Sequence, residues 1–331
     1  MDADRSAWNR ARYVAGARGG HYESWFQRAN HPSRPLAFWI RYTIFSPRGR
    51  PADALGELWA IAFDGERQRV VAVKEEHPIA RCSFSKDGLD ARIADARLDQ
   101  GSLEGRAKKG EHAIAWTLRY SSRERPLLLL PERLYGGPLP RAKALVGSPL
   151  ARFDGTLAVD GETVEVDGWV GSQNHNWGSQ HTDRYAWGQV AGFDDAPEAF
   201  LEVTTARVKV GPVSMPWMTP MVLRLDDEEI ALNALGRAVR ARAHYAPFEW
   251  RFESAAPGVR VTGTMSAPSS SFVALPYLDP PGGIKTCLNT KIARCELRVQ
   301  RGDTVRTLST VSRAAFEILS ADAAPAGVQR L

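Results

Sequence analysis

The densest run of chemically able side chains is Gly168-Trp169-Val170-Gly171-Ser172-Gln173-Asn174-His175-Asn176-Trp177-Gly178-Ser179-Gln180-His181, followed by Asp183-Arg184-Tyr185-Ala186-Trp187-Gly188. Amides and imidazoles, costly to bury, are interleaved there with aromatics that favour burial. In an extended chain successive side chains point to opposite faces, so His175 and Trp177 share one side, Asn174 and Asn176 the other, and Tyr185 pairs with Trp187. The next apolar run, Phe200-Leu201-Glu202-Val203-Thr204, sets Phe200, Glu202 and Thr204 on one face and leaves Glu202 between apolar neighbours. Desolvation raises the pKa of a carboxyl group so placed and lets it donate a proton near neutrality. Aromatic walls stabilise a cation that forms beside them. Glu202 and His175 are therefore the candidate catalytic residues, with Trp177, Trp187, Tyr185, Asn174 and Phe200 as candidates for binding the substrate. The same residues also suit a structural reading, in which His175, Asn174 and Asn176 satisfy backbone groups at a crowded turn and Glu202 pairs with Arg207 or Arg41.

Earlier in the chain, Phe38-Trp39-Ile40-Arg41-Tyr42-Thr43-Ile44-Phe45 alternates so that Trp39, Arg41 and Thr43 share a face. Trp39 and Arg41 suit a polar point in an aromatic cavity, or a structural contact in which an arginine packs over a tryptophan. Glu23, in His21-Tyr22-Glu23-Ser24-Trp25-Phe26, falls near the same aromatics. Met215-Pro216-Trp217-Met218-Thr219-Pro220 and Leu275-Pro276-Tyr277-Leu278-Asp279-Pro280-Pro281 are proline-dense yet apolar, as segments that rim a pocket are, which adds Trp217 to the binding candidates. The spacing of His175 and His181 matches no standard ligand pattern and no third ligand is evident, so no metal is expected. The chain has no GxSxG elbow, GxxxxGK[ST] loop, strand-linked GxGxxG or HExxH. Nucleotide-driven chemistry is not expected.

These residues require strands to position them, and the chain reads as mostly β, with short alternating runs bounded by Gly, Pro, Asp and Asn. Leu157-Ala158-Val159, Asp160-Gly161 and Thr163-Val164-Glu165-Val166 read as a hairpin whose Asp-Gly supplies the positive φ of a tight turn. A second hairpin runs from Phe248 to Thr264 through Ala256-Pro257-Gly258. Helix is expected over Asp4 to Ala17, Pro131 to Tyr135 and Ser312 to Ser320. The segment from Pro126 to Ser148, rich in Pro, Gly and basic residues, reads as a crossover between two strand-rich halves.

At 331 residues the chain is about twice the usual ~150 residues of one domain, so two packed units are expected. A composition 44% hydrophobic and 24% charged excludes a disordered chain, a collagen repeat and a coiled coil. The net charge is +5, but the basic residues are scattered, so no nucleic-acid partner is expected. No apolar stretch suggests a membrane-spanning helix, and Met1 to Gly20 lacks the apolar core of a secretory signal. Cys82, Cys287 and Cys295, odd in number and without CxxC spacing, fit a reducing compartment. The expectation is a cytoplasmic protein whose partner is an apolar small molecule, with transient membrane contact and oligomeric state left open.

Gly20-His21-Tyr22-Glu23-Ser24-Trp25-Phe26, Ala37-Phe38-Trp39-Ile40-Arg41-Tyr42-Thr43, Asn174-His175-Asn176-Trp177-Gly178 and Tyr185-Ala186-Trp187-Gly188 resemble the AttH-like family, related to carotenoid 1,2-hydratases (hydroxyneurosporene synthases) and tocopherol cyclase-like proteins. The resemblance runs from about Gly20 to about Phe316. It implies two tandem lipocalin-like (calycin) antiparallel barrels or sandwiches, residues 1–170 and 171–331, with an apolar cavity near their junction. It also implies cofactor-free hydration, cyclisation or isomerisation of an isoprenoid-like or polyene substrate by proton transfer to a double bond, or else simple carriage of a lipid or isoprenoid. In the hydratases a His-x-Trp pair and a later aromatic-x-acid pair carry the proton chemistry. His175 and Trp177 match the first. Phe200 and Glu202 stand at the second, with Phe for the usual Tyr and Glu for the usual Asp.

Overall fold

The structure, a computed structural model, describes residues 2–207, 209–210 and 213–331. Among the described residues the strands form a 12-stranded sheet, an 11-stranded sheet and a small two-stranded pair. The protein is mostly β, two lipocalin-like antiparallel barrels in tandem. No described helix is long and apolar enough to cross a membrane.

The first sheet contains β1 (His21–Asn30), β2 (Leu36–Ser46), β3 (Leu55–Asp64) and the long strands β4 (Ala142–Val159) and β5 (Glu162–Gly178). Their spatial order is β3, β2, β1, β5, β4. Trp25 of β1 lies opposite His175 of β5, and Phe26 opposite Asn174. The strand Arg69–Pro78 beyond β3 packs against Ser102–Lys109 and His112–Ser121 from the far end of the sheet, which curls it toward closure. The second sheet contains β6 (Arg184–Ala191), β7 (Phe200–Arg207), β8 (Val273–Leu278), β9 (Ile284–Arg301) and β10 (Thr304–Ser320), with β7, β6, β10 and β9 as neighbours and β8 on β9.

Alternation along these strands feeds two cores at once. In the first sheet Trp25, Phe38, Ile40, Tyr42 and Leu58 fill the barrel's own interior. The intervening Phe26, Trp39, Trp59, Ile61 and Phe63 turn the other way, into a core shared with Trp187, Leu275, Tyr277 and Leu319 of the second sheet. One face of each sheet is thus spent on joining the two barrels. Such doubly covered strands lose the polar face that ordinarily marks a strand in sequence. Both expected hairpins form. Asp160 and Gly161 have φ of 50° and 87°, the positive values a primed turn needs, and Ala256 pairs with Val259 across Pro257-Gly258.

The structure corrects several expectations. Ser312 to Ser320 is the end of β10 rather than a helix: Ala314, Phe316 and Ile318 enter the second barrel while Ala315 and Leu319 enter the shared core, so the run is apolar on both faces. Apolar runs of this kind carry no period that separates strand from helix. The opening helix spans Asp2–Asn9 and stops well before Ala17, because the backbone N–H groups of Arg12 and Tyr13 donate to the Glu23 carboxylate instead. Pro131 to Tyr135 contains only the 3₁₀ turn Glu132–Leu134. The helix Leu235–Arg240 was not anticipated. Pro126 to Ser148 is no crossover between halves: Leu127–Leu128 pairs back onto β4, whose own residues begin at Ala142. β5 carries the first sheet to Gly178, and the second sheet starts at Arg184.

Candidate active site

The outward faces of the two sheets do not close on each other everywhere. Between them lies a cavity of about 240 Å³, bordered by Phe26, Trp39 and Arg41 from the first barrel and by Tyr185, Trp187, Glu202, Tyr277 and Glu317 from the second. Leu129, Leu134, Pro140, Met218 and Leu235 complete its wall.

Glu202 is 3% exposed. Strand β7 puts it on the same face as Thr204, and β6, its neighbour, presents Trp187 and Gln189 beside it. The Trp187 indole N–H donates to Oε1 at 2.7 Å and Gln189 Nε2 donates to Oε2 at 2.8 Å. Gln189 is itself fixed: its Nε2 also reaches Asn174 Oδ1 at 2.8 Å, and its Oε1 accepts from Arg28 Nε at 2.9 Å and Ser172 Oγ at 2.6 Å. Burial pushes the Glu202 carboxyl up, and the two hydrogen bonds and the Arg28 charge pull it back only partly, so it titrates at about 7. Neither Arg207 nor Arg41 pairs with it: Arg207 lies over Trp217 at 5.8 Å, and Arg41 stacks on Tyr277 at 4.5 Å.

His175 borders the same cavity as Glu202, but its ring nitrogens are engaged elsewhere. It alternates with Asn174 and Asn176, and its ring is held on the other face of β5, between Trp25 and Trp177 with both centroids at 4.7 Å. Nδ1 lies 2.9 Å from the Trp8 carbonyl and Nε2 lies 2.9 Å from Glu23 Oε1. Both partners are acceptors, a geometry that only the doubly protonated ring satisfies in full, while burial works against that charge and draws the His175 pKa down. Burial also pushes the Glu23 carboxyl up, but the hydrogen bonds from His175 and His21 outweigh it and leave Glu23 at about 2. Glu23 thereby ties the N-terminal segment, β1 and β5 into one unit.

Of the other candidates, Asn174, Tyr185, Trp187, Trp39 and Arg41 border the cavity. Trp177 does not; it lies under Arg12 at 3.8 Å and Tyr135 at 5.8 Å. Phe200 packs with Val146, Ala191 and Val222 and does not line the cavity. Trp217 is 39% exposed, edge-on to Tyr245, although Met218 and Pro220 of the same segment do line the cavity. Residues 211 and 212, ahead of that segment, lie outside the described residues. Sequence reasoning missed Gln189, Arg28 and Glu317. Gln189 carried a usable signal, since it continues the Tyr185, Trp187 alternation. Glu317 sits in the segment read as helix, where no strand face could be assigned. It is paired with Lys291 at 2.8 Å and receives the Tyr185 hydroxyl at 3.4 Å.

No protein-family model matches the chain. Two uncharacterized Mycobacterium tuberculosis proteins, Rv0493c of strain H37Rv and MT0513 of strain CDC 1551, are each 28% identical to it over 275 residues, 83% of this chain and 80% of theirs. Among solved structures, a protein assigned as AttH from Nitrosomonas europaea superposes with a TM-score of 0.57 at 12% identity, over 95% of this chain and 97% of its own. Kievitone hydratase from Nectria haematococca gives 0.58 at 10% identity over 90% and 88%. CghA bound to Sch210972 gives 0.57 at 11% identity over 97% of both chains. Two sheets joined face to face around a cavity, together with these likenesses along nearly the whole chain, establish that this protein has the tandem lipocalin-like fold of the AttH, kievitone hydratase and CghA structures.

Proposed function

We propose that the protein is a cofactor-independent hydratase or cyclase that protonates a carbon-carbon double bond of an unsaturated, isoprenoid-like small molecule in the junction cavity. The observation that carries this reading is Glu202, a buried carboxyl titrating at about 7 in the wall of an aromatic cavity. Near neutral pH it holds a proton about half the time, the condition under which a general acid works best. Two solved structures of the same fold, kievitone hydratase and CghA with its ligand Sch210972, support a small-molecule site in this architecture.

In the proposed step the Glu202 O–H bond breaks as a C–H bond forms at one alkene carbon, using the π pair. The neighbouring carbon becomes cationic among Trp187, Trp39 and Phe26, whose ring faces stabilise it. Addition of water through oxygen, with its surplus proton returning to Glu202, completes a hydration. Attack by a second double bond, with loss of a proton to Glu202, completes a cyclisation. Gln189 and Trp187 keep the carboxyl aimed, and His175 acts as a positioning residue that holds β5, and with it Asn174, against the cavity. The three free cysteines fit work in the reducing cytoplasm.

The test is incubation with an isoprenoid extract in heavy-oxygen water, with mass spectrometry of the free and protein-bound material. A labelled product is expected from hydration, and an isobaric unlabelled product from cyclisation. Glu202→Gln keeps the shape but has no acid proton, and should slow turnover ~100 to 10,000-fold. An unchanged extract with one lipid retained on the protein would identify a carrier and overturn the acid role.

A further inference from the structure

Arg41 is 4% exposed and stands in the cavity wall, yet among the described residues its guanidinium has no carboxylate partner and its Nε has no hydrogen-bond acceptor. The two carboxylates whose fields reach it are already taken: Glu57 by Lys74 at 2.7 Å and Glu317 by Lys291 at 2.8 Å. Its protein contacts are the faces of Tyr277 at 4.5 Å and Trp39 at 5.8 Å. Trp39, two residues back and on the same face of β2, is 1% exposed, and its indole N–H is likewise without an acceptor. Two buried donors, one of them a full positive charge, thus border one cavity unsatisfied.

Burial opposes the Arg41 charge, and the fields of Tyr277, Glu57 and Glu317 outweigh it and keep the guanidinium charged, yet a buried cation without a hydrogen-bonded counter-ion leaves its desolvation only partly offset. A smaller void of about 10 Å³ on the Thr43 and Glu57 side of Arg41 has room for one water at most, so it cannot hold the missing anion. We infer that Arg41 and the Trp39 indole form an oxyanion subsite, and that the molecule bound in the junction cavity is an unsaturated apolar acid whose carboxylate seats there. The planar guanidinium fork matches two carboxylate oxygens, and the indole N–H, sealed within the cavity wall, offers a third donor when the wall shifts to admit the ligand. The Arg41 guanidinium offers one positive charge, which a carboxylate balances, and Lys143, a second cation of the wall, is turned to the Pro140 carbonyl at 2.8 Å; a phosphate or diphosphate would bring more charge than the guanidinium balances, with Glu317 in the same wall. The inference rests on the proposed function for the position of the reacting double bond, near Glu202, but not for the charge of the ligand. The bound carboxylate adds a like charge to the cavity, which favours the protonated form of Glu202 and so keeps the acid loaded when substrate is present.

The experiment compares the affinities of farnesoate and farnesol, an acid and an alcohol on the same unsaturated chain, by intrinsic tryptophan fluorescence at a pH where the free acid is ionised. The folded protein should prefer farnesoate about 10-fold or more. Arg41→Met should abolish that preference, and Arg41→Lys should restore part of it. Should Arg41→Met fail to fold, Trp39→Phe keeps an aromatic ring without the N–H and is expected to weaken farnesoate selectively. Equal affinities in the unaltered protein, absence of farnesoate binding, or a preference that survives both Arg41→Met and Trp39→Phe would overturn the inference. Glu202→Gln separates the two readings: it should retain the acid preference even if no turnover is ever found, whereas turnover of neutral substrates without any acid preference would sink the subsite alone.

Discussion

Glu202 is balanced between burial, which favours its neutral form, and three donors or charges, Trp187, Gln189 and Arg28, which favour its anion. Burial wins by enough to move the group from 4.5 to about 7. A folded-state pKa above the unfolded one means that the native protein holds the proton more tightly, so stability falls as pH rises from about 4.5 through about 7. The full effect is roughly 3 kcal/mol. Glu202→Gln lacks this titration, and its melting temperature relative to the unaltered protein is expected to rise between about pH 5 and pH 8. A difference in Tm that does not move with pH would show that Glu202 is already ionised. In the proposed mechanism the acid form is the active one, so kcat/KM is expected to decline above about pH 7. At this scale the sequence was informative about Glu202 itself, because its apolar flanks and its face follow from alternation. It placed Glu23 near the aromatics but gave no sign of its contact with His175, 152 residues away.

Strand pairing at β1 and β5 decides which face each site residue occupies. Gly171 lies where β5 crosses β1, and a Cβ there would stand 1.8 Å from the Arg28 carbonyl oxygen and 2.6 Å from Ala29 Cα. Backbone cannot retreat from such a contact as a flexible side chain can, so Gly171→Ala should destabilise the protein by about 3 kcal/mol, measured by urea unfolding. It should also reduce farnesoate binding, since Asn174 and Arg28 are carried on the two displaced strands. An alanine variant as stable as the parent would mean that β1 and β5 can part here without consequence. The hairpins at Asp160-Gly161 and Pro257-Gly258 were legible because turn chemistry is local. The end of β10 was not, because a strand covered on both sides by two different cores has no polar face to give it a period of two.

Across the whole molecule, the two barrels are joined by aromatic packing and by polar contacts, a staple from Arg28 among them. Arg28 leaves β1 and donates to Gln189 Oε1 at 2.9 Å and to the Gln189 carbonyl at 3.1 Å on the second sheet, while Asn30 reaches the Lys291 carbonyl at 2.7 Å. Arg28→Met keeps much of the volume but should cost about 3 kcal/mol through the unsatisfied groups it leaves. Without the Arg28 charge, the Glu202 pKa should rise further, moving the alkaline fall of kcat/KM to higher pH; an unmoved profile would show that the staple is only structural. The amino-acid sequence by itself determined the β class, two hairpin turns, a two-barrel length and an acid flanked by apolar residues, all of which depend on neighbours within a few positions. Only the tertiary structure decided that His175 is engaged by Glu23 and the Trp8 carbonyl, that Gln189 and Arg28 set the Glu202 carboxyl, and that Arg41 has no carboxylate partner among the described residues. Those facts depend on how two sheets meet, and that meeting buries charges and amides contributed by strands far apart in the chain.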